Sequence, residues 1–305
     1  MPTTLSVGSF SPSILLDLTR RTGRLADQGL AATEVPVASS PGQFRSLVLG
    51  ELDVALTSPD NVIAYRFSPG NPLRELLDTR IVSAVDRGMG LGLYARPGVG
   101  VADLLGARIG VDVPSSGFAL ALYGLLDSLG VDRAAVELVS LGSTPRRREA
   151  LVAGDCEATM LNAGNELVAE HQGCALLASV PEVLGPYLGT VVAVVGEEHL
   201  EPAARLASAL TATAADVLAG RLDEEAVEVT VERLGVDDTL ARRYVERMRS
   251  ADHGLVGDGV VDPAALRTLV RLRQRYLPEP GDGDGDVLDA VLDPGSGLLW
   301  SSATR

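Results

Sequence analysis

Short apolar runs alternate with longer amphipathic stretches along the chain from its first residues to Gly196. The short runs are rich in β-branched residues, whereas the longer stretches carry apolar residues at helical spacing. This alternation is typical of parallel α/β units. The predicted strands are 5–7, 33–37, 54–56, 108–111, 136–140 and 159–161, and the predicted helices are 14–22, 41–49, 59–65, 118–129, 145–152 and 166–171.

Two separate segments of the chain recur at one offset of 104 residues. The segment 47–58 (LVLGELDVALTS) aligns with 151–162 (LVAGDCEATMLN), and 7–12 (VGSFSP) aligns with 111–116 (VDVPSS). Each segment of the first pair predicts a helix end, a glycine, an acidic turn and a short strand. Each segment of the second pair predicts the end of a strand followed by an apolar helix. Because independent segments share the offset, the sequence predicts two lobes built alike.

The remaining apolar segments suggest how the two lobes are joined. Segments 81–95 and 189–195 lie where the chain would cross between lobes, so we expect them to form the hinge. After Gly196 only helices are predicted, and we expect them to pack on the first lobe. The predicted helices are 201–219, 224–234, 239–248 and 263–276.

These patterns define predicted domain boundaries. The first lobe would comprise residues 1–95 and 189–280, including the C-terminal helices, and the second lobe residues 96–188. The run GDGDGD at 281–286 predicts an acidic, flexible tail over residues 281–305.

Polar residues follow the predicted strand tips in both lobes. Open parallel sheets bind ligands beyond the carboxyl ends of their strands, where helix N-termini present backbone N–H groups. This pattern suits a carboxylate, sulfonate or phosphate group, although serine before a helix often acts only as a cap. The candidates are Ser9, Phe10, Ser11, Ser58 and Asn61 in the first lobe, and Ser115, Ser116 and Asn162 in the second.

Three further residues are candidate ligand contacts, each with a structural alternative. Arg87 follows the apolar run 81–85, and it either pairs with an anionic ligand or forms a surface ion pair. Tyr187 either lines the cleft or packs in the core. Asp60 either contacts the ligand or complements the dipole of its helix.

The amino-acid composition excludes some classes of function and partner. The net charge is −15, and all 26 basic residues are arginines, which excludes a lysine Schiff base. The acidic excess argues against nucleic acid or an anionic membrane as a partner. The N-terminus shows no signal-peptide pattern and no apolar run reaches membrane-spanning length. We therefore expect a cytoplasmic protein, or an extracytoplasmic one if a leader has been removed.

Enzyme and metal motifs are not evident in the sequence. His171, His199 and His253 lack a second ligand at metal spacing, and Cys156 and Cys174 are expected to be free, buried thiols. No nucleophile elbow, phosphate-binding loop or dinucleotide-binding motif stands at a strand-to-helix junction. No metal and no cofactor are predicted.

Three segments resemble a known family. GRLADQGL at 23–30, LGELDVA at 49–55 and IGVDVPSSG at 109–117 are similar to the nitrate/sulfonate/taurine-type substrate-binding proteins of ABC importers, including the thiamine-pyrimidine-precursor branch. The resemblance covers about residues 4–196. It implies the type II periplasmic binding protein fold, with two Rossmann-like lobes, a central cleft and a hinge. It also implies that Ser9, Ser58, Ser115 and Asn162 line the cleft.

The resemblance leaves two functions open. The first is a binding protein for a small organic acid, sulfonate or heterocycle, with an ABC permease as its partner. The second is a cytoplasmic, cofactor-independent lyase, such as a decarboxylase or dehydratase of a carboxylated cyclic substrate, because the same fold also serves such enzymes.

Overall fold

The structure is a computed structural model that describes residues 2–278 and 286–300. The strands in this part of the chain are β1 (Thr3–Ser9), β2 (Leu30–Pro36), β3 (Val54–Thr57), β4 (Thr79–Asp86), β5 (Gly92–Ala95), β6 (Arg108–Val111), β7 (Glu137–Ser140), β8 (Ala158–Leu161), β9 (Ala175–Ser179) and β10 (Thr190–Val195). The α-helices are α1 (Ile14–Arg21), α2 (Arg24–Asp27), α3 (Ser40–Val48), α4 (Pro59–Phe67), α5 (Gly117–Ser128), α6 (Thr144–Ala153), α7 (Asn165–His171), α8 (Val180–Leu184), α9 (Leu200–Leu218), α10 (Asp223–Leu234), α11 (Asp238–Arg249), α12 (Pro263–Tyr276) and α13 (Asp286–Leu292).

The strands form two five-stranded sheets of the same design. The first sheet has the order β2-β1-β3-β10-β4 and the second the order β7-β6-β8-β5-β9. Strand β10 runs antiparallel between β3 and β4, and β5 runs antiparallel between β8 and β9. Each sheet therefore contains one antiparallel strand formed by chain that has just crossed from the other sheet. The predicted α/β fold with two similar lobes is confirmed.

The internal repeat is confirmed for one segment and corrected for the other. Helices α3 and α6 begin 104 residues apart, at Ser40 and Thr144, and β3 and β8 are related by the same offset. In the first strands, however, Val7 pairs with Val54, whereas Ile109 pairs with Ala158. Val7 is therefore equivalent to Ile109, and the sequence alignment of 7–12 with 111–116 is wrong by two residues.

Both faces of the first sheet are covered, because alternate residues of a strand point to opposite faces. In β3, Val54 and Leu56 pack in one apolar cluster with α1 and α9–α11, while Ala55 packs in the other. The second cluster extends from the first sheet through α3, α4, α5 and α12 to the second sheet. A single apolar core therefore joins the two lobes behind the cleft.

The C-terminal helices pack on both lobes, and not on the first lobe alone as predicted. Helices α9 and α10 contact α1, whereas α12 lies against α4 of the first lobe and α5 of the second. Arg273 of α12 forms an ion pair with Asp60 of α4, and Leu272 lies beside Gly124 of α5. This helix therefore bridges the lobes.

The prediction of a flexible tail over 281–305 is wrong for residues 286–300. Helix α13 is followed by a segment in which Leu298 and Trp300 exchange backbone hydrogen bonds with Ile81 on the open edge of β4. Val291 and Leu298 are buried, and this apolar burial holds the segment against the first lobe. The predicted linker residues 281–285 and the last residues, 301–305, lie outside the described part of the chain.

No helix within the described ranges combines the length and the apolarity needed to cross a bilayer.

Candidate functional site

A cavity of about 100 Å³ lies between the two lobes, and we call it the inner cavity. It is bounded by the ends of β1, β3 and β8, by both crossing segments between the sheets, and by α11. Its lining residues include Ser9, Phe10, Ser11, Thr57, Ser58, Asp86, Met89, Phe118, Thr144, Asn162, Ala163, Thr190, Tyr244, Met248 and Leu255. Both sheets therefore direct the carboxyl ends of parallel strands toward one shared space.

A smaller space of about 30 Å³, the side cavity, adjoins the inner cavity and shares Phe10, Ser58, Phe118 and Thr144 with it. Its remaining lining residues are Asn61, Asp112, Ser116, Gly117 and Arg147.

A wider space of about 620 Å³, the outer cleft, lies on the other side of the β1–α1 loop and shares residues 9–12 with the inner cavity. Glu34 organises the boundary, because its Oε1 accepts hydrogen bonds from Ser9 Oγ at 2.6 Å and from Ser13 N at 2.8 Å. Arg233 Nη2 donates to the other oxygen of Glu34. The Nε atom of Arg233 lies 3.0 Å from Asp17 Oδ2. Arg233 of α10 thus fixes the loop that separates the two spaces.

Three helices of eight or more residues begin at the inner cavity. Ser13 caps α1 by accepting a hydrogen bond from Leu16 N at 3.2 Å, and Ser58 caps α4 by accepting one from Asp60 N at 3.3 Å. Helix α6 begins at Thr144, which also lines the cavity. Helix N-termini carry a partial positive charge and donor N–H groups. This part of the wall suits an oxygen-rich group of a ligand.

The charged side chain in the wall of the inner cavity is Asp86, and no described lining residue is basic. Asp86 is 6% exposed, and its Oδ1 accepts a hydrogen bond from Gly88 N at 2.8 Å. Desolvation raises the pKa of this carboxyl to about 6, although hydrogen bonds from Thr190 and Gly88 oppose the rise. The cavity therefore contains a buried carboxylate in addition to the helix N-termini.

The turns that follow β4 and β8 are strained where they meet. Met89 and Ala163 have left-handed backbone conformations, with φ of 50° and 54°. Ala163 N donates to Met89 O at 2.9 Å, and Asn162 Nδ2 donates to Gly88 O at 3.2 Å. A left-handed residue other than glycine costs about 1–2 kcal/mol, and such residues often occur at binding sites.

The structure brings together most of the predicted site residues. Five line the inner cavity, namely Ser9, Phe10, Ser11, Ser58 and Asn162, and two more, Asn61 and Ser116, line the side cavity. The hydroxyl of Ser116 is not free of protein contacts, because it donates to Asp112 and accepts from Ala119 N at 3.2 Å.

Two candidates lie near the cavities without lining them. Asp60 is buried and bound through both carboxylate oxygens by Arg273, at 2.9 and 2.6 Å, so the structure corrects its prediction as a ligand contact. Ser115 lines neither cavity, and its carbonyl accepts from Arg273 Nη2 at 3.4 Å. Both residues belong to the junction of α4, α5 and α12.

Arg87 and Tyr187 lie behind the cleft, where they line a separate pocket of about 450 Å³ that we call the rear pocket. Arg87 lines this pocket and not the inner cavity, and its Nη1 donates to Leu255 O at 2.7 Å. Tyr187 is 3% exposed, and its hydroxyl lies 3.5 Å from Gly117 O. The prediction that Arg87 reaches into the cleft is wrong, and Tyr187 takes the core-packing alternative.

Several lining residues were missed from the sequence. Thr57 directly precedes Ser58, and both residues line the inner cavity, whereas Asp86 lines it in place of its predicted neighbour Arg87. Arg147 occupies the position equivalent to Gln43, and both side chains bind a carbonyl of the adjacent strand, at Met160 and Leu56. Tyr244 lies on α11, and no sequence signal connects that helix with the cleft.

The fold matches those of several solved structures, while no protein-family model and no curated protein matches the sequence. The ligand-binding component of an ABC-type import system from Staphylococcus aureus, with zinc bound, has a TM-score of 0.71 at 13% identity, over 94% of this chain and 98% of that chain. The alkanesulfonate-binding protein SsuA from Xanthomonas axonopodis pv. citri, bound to MOPS, has a TM-score of 0.73 at 17% identity, over 98% of each chain.

A third match is a Candida albicans protein described as defining a new family with the generic periplasmic binding protein structural fold. Its TM-score is 0.71 at 16% identity, over 100% of this chain and 98% of that chain. Together with the order of strands in the two sheets, these matches show that the chain has the periplasmic binding protein fold, with additional C-terminal helices.

Proposed function

We propose that this chain binds a small organic molecule in the inner cavity, in the manner of the solute-binding component of an ABC importer. The observation that carries the proposal is that strand ends from both sheets, at Ser9, Thr57 and Asn162, line one shared space. A ligand in this space would contact both lobes at once, which is how a two-lobed protein couples binding to closure about a hinge. An ABC permease is the partner that this function requires.

The chemistry of the wall supports a carboxylate, a sulfonate or an oxygen-bearing heterocycle as the ligand. Three helix N-termini and the hydroxyls of Ser11 and Thr57 offer donors to such a group, whereas the hydroxyl of Ser9 already donates to Glu34. The apolar remainder of the wall, including Phe118 and Leu255, suits a short hydrocarbon or ring portion. The structural match to SsuA supports the sulfonate class as one to test first.

A lyase on the same fold is a second candidate, and one observation favours it. Asp86 has a pKa of about 6 and lies in the wall of the inner cavity, which suits a general base acting near neutral pH. A binding protein would release its ligand unchanged, whereas a lyase would release a product of different mass.

Native mass spectrometry distinguishes these functions. We expect the folded protein, incubated with extracts of small metabolites, to retain one ligand per chain whose mass is the same before binding and after release. Conversion of the retained molecule to a product of lower mass would support the lyase instead. Absence of any retained molecule would contradict both candidates.

Filling the inner cavity should abolish this retention. Ser11 lines both the inner cavity and the outer cleft, and an indole ring at this position occupies the space that the ligand needs. We expect Ser11→Trp to lower ligand affinity at least about tenfold, because a packed cavity tolerates added volume poorly. Isothermal titration calorimetry with the ligand found by mass spectrometry provides the measurement.

Ser128→Trp is the matched control, because Ser128 lies at the exposed end of α5. It should bind the ligand like the unmodified protein, and circular dichroism should show that both variants are folded. Unchanged affinity in folded Ser11→Trp would place the ligand outside the inner cavity.

A further inference from the structure

We propose that the ligand of the inner cavity carries a nitrogen group, either cationic or donating hydrogen bonds, that contacts the carboxylate of Asp86. This inference rests on the proposed function and specifies its ligand. The ligand would carry two kinds of polar group: an oxygen-rich group that contacts the helix N-termini, and an amine, amidine or ring amino group that contacts Asp86.

Among the described residues Asp86 forms no ion pair, although the charge of Arg87 is near enough to lower the pKa of its carboxyl in part. The neighbouring guanidinium, that of Arg87, is turned to Leu255 O, and the lining of the inner cavity contains no basic side chain. The protein supplies hydrogen bonds from Gly88 N and from the Thr190 side chain, which hold the carboxylate in place. A carboxylate that is 6% exposed is costly to bury without an opposite charge. A cationic ligand group would remove this cost.

The position of Asp86 also suits a role in recognition. It ends β4, and the crossing segment after it packs against Gly189 of the other crossing segment, with Gly189 N donating to Asp86 O at 3.0 Å. Asp86 therefore lies where both connections between the lobes meet. A ligand held there would contact both connections as well as the strand ends.

The test compares pairs of probes that differ only in an amino group. The pairs are β-alanine and propionate, 2-aminoethanesulfonate and ethanesulfonate, and 2-aminopyrimidine and pyrimidine, which cover the three proposed ligand classes. In at least one pair we expect the unmodified protein to bind the amino compound at least about tenfold more tightly, as measured by calorimetry. Asp86→Asn, which keeps the shape of the side chain, should reduce this preference to about twofold or less.

The dependence on pH gives a second readout. The amino compound should bind about tenfold more weakly at pH 5 than at pH 7, because Asp86 becomes protonated and loses its charge. The variant Asp86→Asn should show no such loss. The ionisable groups around Asp86 are Arg87 and Tyr244. Glu166 of α7 lies on the other side of Tyr244, and His253 lies on the segment that binds the backbone of residues 87–89. Glu166→Gln is the control for titration of Glu166 and should keep the pH dependence of the unmodified protein.

The outcomes separate this inference from the proposed function. Equal or tighter binding of the amine-free members, unaffected by Asp86→Asn, would overturn the inference and leave the binding function standing. Binding of no probe, together with no retained molecule in native mass spectrometry, would overturn both.

Discussion

Replacing Arg273 by methionine should lower the free energy of unfolding by about 3–5 kcal/mol, because it leaves a buried carboxylate without its charge partner. The carboxylate is Asp60 of α4, which is 1% exposed and is bound by two guanidinium nitrogens of Arg273. Urea denaturation followed by circular dichroism measures the effect, and the unfolding curve is fitted with a model in which the two lobes can unfold separately.

The double variant Asp60→Asn with Arg273→Met is the control for this prediction. It removes both charges, so most of the lost stability should return. If Arg273→Met alone were as stable as the unmodified protein, the ion pair would not hold α12 to the first lobe.

The ion pair matters to the cleft because of where it lies. A Cβ atom at Gly117 of α5 would come within 2.7 Å of both Asp60 Cβ and Ser58 Oγ. The absence of a side chain at Gly117 therefore lets the second lobe approach the beginning of α4 closely. Arg273 fixes that beginning, which also carries the cavity residue Ser58.

The variant Glu166→Gln should be more stable than the unmodified protein by up to about 3 kcal/mol at pH 8. Glu166 of α7 is fully buried, and neither carboxylate oxygen has a well-aligned hydrogen bond among the described residues, although the backbone N–H groups of Gly164 and Glu166 lie near enough to lower its pKa in part. Burial raises its pKa from 4.5 to about 7, while the charge of Arg247 offsets part of the rise. The ionised carboxylate therefore destabilises the folded protein, whereas the neutral amide of a glutamine carries no charge to bury.

The sign of the pH dependence follows from the raised pKa. The folded protein holds the proton more tightly than the unfolded chain, so ionisation of Glu166 destabilises the fold as pH rises. The loss begins near pH 4.5, is complete a little above pH 7, and is absent at lower pH. The stability difference between Glu166→Gln and the unmodified protein should follow this course in denaturation experiments between pH 4 and pH 8.

Glu149→Gln is the matched control on α6, because the Glu149 side chain is 67% exposed and forms only a surface ion pair with Arg148. Its effect should stay below about 1 kcal/mol at every pH. A Glu166→Gln variant that is no more stable at pH 8 than at pH 4, relative to the unmodified protein, would show that Glu166 is solvated or paired in solution.

The fold was predictable because its signals are local. The glycine and acidic turn before β3 recur before β8, and Pro59 after Ser58 defines the start of α4. Strand periodicity then places polar residues at the sheet edge, and five of the predicted residues do line the inner cavity. These features depend only on residues that are neighbours in sequence.

The rest of the site depends on contacts between distant segments. Tyr244 reaches the cavity through the packing of α11, and Arg273 binds Asp60 across more than 200 residues. The direction of Arg87 is determined by the carbonyl of Leu255, which no periodicity reveals. The segment 286–300 was misread because its few apolar residues follow a glycine- and aspartate-rich run, although Leu298 is buried against the first lobe.

The most direct test is a crystal structure of the protein with the ligand identified by native mass spectrometry. We expect the ligand in the inner cavity, in contact with Ser9 and Thr57 from the first lobe and with Asn162 from the second. A ligand bound only in the rear pocket beside Tyr187, or on the surface of one lobe, would contradict the proposed function.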